Sequence, residues 1–193
     1  ADNLLAPLPF GARFARVWRG ALPGDDGAAA VPIYFIEHDD YFARPGLYGD
    51  EHGDYGDNGL RFLFFCRAAL ALTERLAWFP DVIHCHDWHA GLIPAYLRFP
   101  SGLDDRLARA ATVQTIHNLA FQGVFPPSVF EATGLPPTLF QPAGAEFYGA
   151  VNFLKAGLYY ADALSTVSPT YAQEICQPEF GWRLDGVLRD RQD

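Results

Sequence analysis

The chain is 193 residues long and half apolar, enough for one sizeable core and too little for two full domains. With 14 Lys+Arg against 23 Asp+Glu its formal net charge is −9, which argues against nucleic acid or an anionic membrane as the main partner and leaves a neutral ligand as the easier fit. Three cysteines without CxxC spacing indicate neither a disulfide framework nor a cysteine zinc site, and fit a reducing compartment.

In chain order, Phe14 to Trp18 and Val31 to Ile36 read as two short strands. The turn-rich stretch Gly20 to Ala30 separates them, with Pro23-Gly24-Asp25-Asp26-Gly27 supplying the turn chemistry, so an antiparallel or edge hairpin is expected. Gly46 to Gly59 is a glycine-rich acidic loop, longer than most connections in a compact domain. Its acids Asp50, Glu51, Asp54 and Asp57 invite a calcium reading, but the ligand spacing of a calcium loop is not met, and a solvated turn or a substrate-facing loop fits better. Leu60 to Phe79 is predicted to be a long helix, apolar nearly all round, with Arg61, Arg67, Glu74 and Arg75 as its wet stripe.

The stretch Pro80 to Arg98 holds the chemistry. Val82 to His86 reads as a strand, and Asp87 is placed to cap a helix running through Ala90, Leu92 and Tyr96. A polar break at Ser101 to Arg109 precedes a second strand, Ala111 to Ile116, which ends in His117-Asn118. Phe121 to Phe147 shows no sustained period and reads as surface excursion. Val151 to Asp162 is predicted as a helix, Ala163 to Val167 as a third, buried strand, and Ser168-Pro169 as the start of a further helix. Alternating strands and helices predict an α/β fold: a parallel sheet with right-handed crossovers.

In such a sheet ligands bind at the carboxyl ends of the strands. That rule brings HDWH (His86 to His89) and His117-Asn118 over one crevice. Hydroxyl-rich ligands need short donors and acceptors at fixed angles, and Trp88, Tyr48 and Tyr55 offer flat faces suited to sugar rings. Each residue also has a plainer reading: Asp87 as a cap, His117 as a hydrogen-bonded fold histidine, the aromatics as packing. His84, His86, Asp87 and His89 come close to the HxHxDH pattern of dinuclear metallo-hydrolases, with the aspartate one position off.

Four separated stretches then carry a resemblance: YGDNGLRF from Tyr55, HCHDWHAGLIPAYL from His84, TVQTIHNLAFQGVF from Thr112, and EFYGAVNFLKAGLYYADALSTVSPTYAQEI from Glu146. Together they closely resemble the bacterial glycogen synthase and plant starch synthase family. The resemblance implies a Rossmann-like parallel sheet with helices on both faces, the N-terminal half of a GT-B glycosyltransferase, moving glucose from ADP-glucose to the nonreducing end of an α-1,4-glucan with retention, without metal or other cofactor. By the same resemblance His117 and Asp87 are the catalytic candidates. Tyr55, Asp57, Asn58, Trp88, His89, Asn118 and Lys155 are the substrate-binding candidates, although the place of Lys155 on a helix face favours a structural or supporting role for it.

Residues 1–193 are accordingly expected to be an incomplete N-terminal domain. The absence of methionine supports a fragment, and the family's KTGGL loop and C-terminal nucleotide-binding domain lie outside it, so the piece is expected to be inactive alone. Its expected partners are ADP-glucose, α-1,4-glucan and that second domain, with no nucleic acid and no membrane, in a bacterial cytoplasm or a plastid. Arg183 stands in FGWRLDGVL where relatives usually have glycine, which questions that loop's conformation. The rival readings are a noncatalytic glucan-binding module and the metallo-hydrolase.

Overall fold

The computed structural model describes residues 2–25, 28–99 and 101–192. An antiparallel sheet opens the chain: β1 (Asp2–Ala6), β2 (Arg13–Leu22) and β3 (Val31–Glu37), in that spatial order. The hairpin read from sequence is present, though β2 runs four residues beyond Trp18; Asp26 and Gly27 of its turn lie outside the described residues. β1 is an added strand. Its Leu4 and Ala6 pack with Ala15 and Val17 into the core beside the long helix, while Phe14, Trp18 and Phe35 face outward.

After a short helix α1 (Asp39–Phe42), the acidic loop folds into a tight hairpin of β4 (Gly49–Asp50) and β5 (Gly53–Asp54) and enters helix α2 (Asn58–Arg75). α2 ends earlier than expected because Ala77 takes a left-handed conformation ahead of Pro80. The predicted wet stripe is half wrong: Arg61 is 1% exposed and Arg67 6%. Arg61 donates to the carbonyls of Tyr41 (2.6 Å) and Leu47 (3.0 Å) and to Asn58 Oδ1 (2.5 Å). Arg67 donates to the carbonyls of Pro7 and Ser101, both at 3.0 Å. A guanidinium with several N–H groups is tolerated inside when loop carbonyls accept from it. These two arginines therefore tie flanking loops onto an apolar helix.

The parallel sheet is built from β6 (Val82–His86), β7 (Ala111–Ile116) and β11 (Ala163–Thr166), with β7 in the middle. α3 (Ile93–Arg98) and α5 (Phe153–Tyr160) lie in the crossovers and pack on each other. The α/β expectation holds. β11 is a half-exposed edge rather than a buried strand.

Between β7 and α5 the chain forms β8 (Val124–Phe125), helix α4 (Pro127–Thr133), β9 (Glu146–Phe147) and β10 (Ala150–Asn152), where the sequence offered only turns. Two further helices, α6 (Pro169–Glu174) and α7 (Asp185–Asp190), complete the order. The predicted cap is present: Ser168 Oγ accepts from Tyr171 N–H at 3.0 Å with Pro169 in the first turn. All three cysteines are free and buried, and burial pushes the Cys85 thiol up to about 12. Among the described residues no helix is long and apolar enough to cross a membrane.

Candidate active site

In the register of β6 against β7, His84 lies opposite Val113 and His86 opposite Thr115. Alternation along β6 turns Cys85 into the core and both histidines outward, their rings 4.3 Å apart. Toward the carboxyl ends of the strands, His86 Nδ1 lies 2.9 Å from His117 Nε2, and His84 Nε2 lies 2.6 Å from Thr115 Oγ1, which itself meets Ser165 Oγ at 2.5 Å. The carboxyl ends of three strands thus share one line of imidazoles and hydroxyls. Burial lowers the pKa of His86, and the neighbouring His84 and His117 lower it further, so its neutral form is favoured near pH 7.

Asp87 does not cap a helix with its side chain. It precedes a single 3₁₀ turn, Trp88–Ala90, with φ +53° and ψ −168°, a region costly for any residue but glycine. Its Oδ1 accepts the backbone N–H of His117 at 2.8 Å, and its own N–H donates to the Thr115 carbonyl at 2.9 Å. Gln114 Nε2 donates to the Asp87 carbonyl at 3.0 Å from beneath. The two strand ends are therefore latched together at the point where both candidate catalytic residues sit.

Helix α5 supports this latch from behind through close backbone approach. A Cβ on Gly91 would lie 2.1 Å from the Phe153 carbonyl oxygen, and one on Gly157 would lie 2.5 Å from Gln114 Oε1. Only glycine at both positions lets the turn, the helix and the Gln114 amide meet this closely.

The remaining candidates divide into two groups. Trp88 is buried with one face on a cleft of about 720 Å³, stacked on the His89 ring at 4.2 Å and edge-on to Phe62 at 4.5 Å. His89 Nε2 meets Tyr48 Oη at 2.7 Å, and burial lowers its pKa. Asn58 lines the same cleft while its Nδ2 donates to the Tyr48 carbonyl at 2.8 Å. Asn118 is exposed beside His117 and its Oδ1 accepts from Ala120 N–H at 3.0 Å.

Three candidates are engaged elsewhere. The Asp57 carboxylate is gripped by Arg44 at 2.6 and 2.7 Å, which lowers its pKa. The Tyr55 ring lies between the guanidinium groups of Arg44 (4.8 Å) and Arg61 (5.2 Å), so Tyr48 is the loop tyrosine that reaches the cleft. Lys155 is 6% exposed, and its Nζ donates to the carbonyls of Pro142 (2.6 Å) and Glu146 (2.5 Å); burial lowers its pKa. That arrangement matches the structural alternative for Lys155 and leaves its amine no route to a ligand here.

Sequence reasoning missed Gln114 and Gln122. Gln122 donates to the carbonyls of Leu119 and Trp182, both at 3.1 Å, and accepts from Asn152 Nδ2 at 2.6 Å. The signal was available: a lone amide inside or just after a β-branched run has to find partners when it is buried. Trp182 and Arg183 line the same cleft as Trp88, and both are left-handed, with φ +48° and +68°. The glycine expected at position 183 is thus a real conformational requirement, which an arginine here satisfies under strain.

Among the described residues no group of three or more His, Cys, Asp or Glu side chains is placed to hold a metal ion. His89 is turned to Tyr48 rather than to the other histidines.

A family model described as the starch synthase catalytic domain matches residues 6–190. The chain belongs to that family. It is 51% identical over 162 residues to glycogen synthase 2 of Geobacter metallireducens, covering 84% of this chain and 34% of the relative. It is 47% identical to the glycogen synthase of Thermodesulfovibrio yellowstonii, covering 97% of this chain and 39% of the relative. Among solved structures, the catalytic domain of starch synthase IV from Arabidopsis thaliana, bound to ADP and acarbose, superposes with a TM-score of 0.83 at 29% identity, over 99% of this chain and 38% of that one. The chain therefore spans a little over a third of the length of the family members it matches. Within the starch synthase family frame, HDWH and HN are the two strand ends that the latch joins.

Proposed function

We propose that this chain is the N-terminal part of a two-domain glucosyltransferase that moves glucose from ADP-glucose to the nonreducing end of an α-1,4-glucan with retention of configuration. The observation that carries the reading is the Asp87–His117 latch at adjoining strand ends, next to an aromatic cleft, in a chain of the starch synthase family. The relatives named glycogen synthase, and a neighbour bound to ADP and acarbose, support both the donor and the acceptor class.

Retaining transfer of a glucosyl group passes through an oxocarbenium-like state, which is stabilised by oriented dipoles and carboxylates more than by a strong base. His117, its backbone fixed by Asp87, presents a ring that hydrogen-bonds a sugar hydroxyl once it leaves His86. Asp87 uses Oδ1 for the latch, and Oδ2 remains to accept from a second hydroxyl. Trp88 and Tyr48 provide faces for sugar rings. The nucleotide contacts belong to the proposed second domain.

The test is His117→Ala in the full-length protein. Its kcat is expected to fall far more than its glucan KM changes, because the contact is made to the reacting group. Unchanged activity would remove His117 from the site. Residues 1–193 alone are expected not to transfer glucose, and incorporation into maltoheptaose by that piece would refute the two-domain reading.

A further inference from the structure

Five non-glycine residues among those described have a positive φ: Ala77, Asp87, Tyr148, Trp182 and Arg183. One of them, Asp87, is a catalytic candidate; Trp182 and Arg183 line the cleft, and Tyr148 lies beside them under the Arg183 guanidinium. There the Arg183 guanidinium lies 5.1 Å over the Tyr148 ring, and Tyr148 meets Phe147 edge-on at 4.9 Å. Tyr148 is 72% exposed and Trp182 59%. Positive φ is unfavourable for every side chain, so a rim that holds large aromatics and an arginine in this state is strained to present them outward.

The rim is not loose. Gln122 fastens the Trp182 carbonyl to the segment that follows His117–Asn118, and Gly181 N–H donates to the Gln177 carbonyl at 2.8 Å. It also shares one cleft with the residue that follows Asp87, since Trp88, Phe121, Trp182 and Arg183 line it together. A cleft of about 720 Å³ lies in the range that buries a ligand of several rings. Its charged groups are Asp54, Glu179 and Arg183, two carboxylates to one guanidinium, a balance that repels a polyanion and suits a neutral chain of hydroxyls.

We propose that Tyr148, Trp182 and Arg183 form a remote sugar subsite that grips an α-glucan several units from the transferred glucose and makes the protein prefer long acceptors. This rests on the transferase reading above and adds to it a residue set that decides chain-length preference. Trp182 and Tyr148 offer ring faces for stacking, while Arg183 and Glu179 reach hydroxyls at the edges.

The experiment measures Kd for maltoheptaose and maltotriose by calorimetry, with kcat/KM for both as acceptors, on the full-length protein and its Trp182→Ala and Arg183→Gly variants. For Trp182→Ala the preference for maltoheptaose over maltotriose is expected to fall about tenfold. For Arg183→Gly it is expected to fall about threefold. Arg183→Gly relieves a left-handed position, so it keeps the test open if Trp182→Ala does not fold. An unmoved preference in a folded variant, or equal loss of both sugars, overturns the subsite and leaves the transferase reading standing. If the unmodified protein neither binds maltoheptaose nor transfers glucose to it, the transferase reading itself fails.

Discussion

Asp87 latches the His117 amide and, on the proposed reading, also serves the transfer, both from one turn. The turn that aims its carboxylate at the His117 amide also holds its backbone at φ +53° and ψ −168°, a conformation strained for any side chain. Asp87→Asn keeps an acceptor oxygen for His117 N–H and the same side-chain shape, so stability in urea is expected to stay within about 0.5 kcal/mol, while kcat falls about a hundredfold through loss of the charge. Asp87→Ala loses the latch as well and is expected to be about 1–2 kcal/mol less stable. If the two variants were equally stable and equally active, Asp87 would be neither latch nor catalytic group. At this scale the motif residues were legible because HDWH and HN stand at the ends of β-branched runs. The role of Asp87 was not, since Asp before a helical segment reads as a cap, and nothing local shows that its acceptor is needed thirty residues away.

Among elements, strands β6 and β7 were readable to the residue, because alternation and β-branching leave little choice. α4 was hidden by the prolines on either side of its start, and β1 by its shortness, since its pairing with β2 is a long-range fact. The predicted polar face of α2 failed at Arg61 and Arg67 because chemistry type does not reveal where loop carbonyls will lie. The approach of α5 to the Trp88–Ala90 turn is the element contact that matters most for the site. Gly157→Ala places a methyl against Gln114, whose amide holds the Asp87 carbonyl. It is expected to destabilise by about 1–3 kcal/mol and to lower kcat along with stability. A Gly157→Ala protein with wild-type urea midpoint and wild-type kcat would show that helix and turn are free to separate.

For the whole molecule, pH acts through the site's own imidazoles. Burial holds the pKa of both His86 and His89 below the ordinary 6.5, so the unfolded chain binds these protons first. The stability contributed by their neutral forms is complete above about pH 6.5 and is lost as pH falls through the folded values. The lowered carboxylates Asp57 and Asp162 act in a lower window, below the ordinary 3.8. The urea midpoint is therefore expected to be lower at pH 5.5 than at pH 7, and His89→Phe, which keeps the ring among Phe62 and Trp88, is expected to flatten that difference. An unchanged slope in His89→Phe would move the effect elsewhere. The acidic total and the alternating elements announced the class of molecule from sequence alone. The exposed aromatic face of β2 and β3 did not announce itself, because alternation tells which residues share a face but not which face is covered.

Gln122 joins these scales. With its two amide protons on Leu119 and Trp182 and its oxygen on Asn152, it rivets the rim, the turn after His117–Asn118 and the entrance of α5 to one another. An outward movement of the Trp182 backbone must break a bond at a residue that also shapes that turn. On the proposed reading, a long sugar chain held at the rim is expected to stiffen the turn without touching it, so that acceptor length is registered at the reacting end as a loss of motion, carried by one side-chain amide.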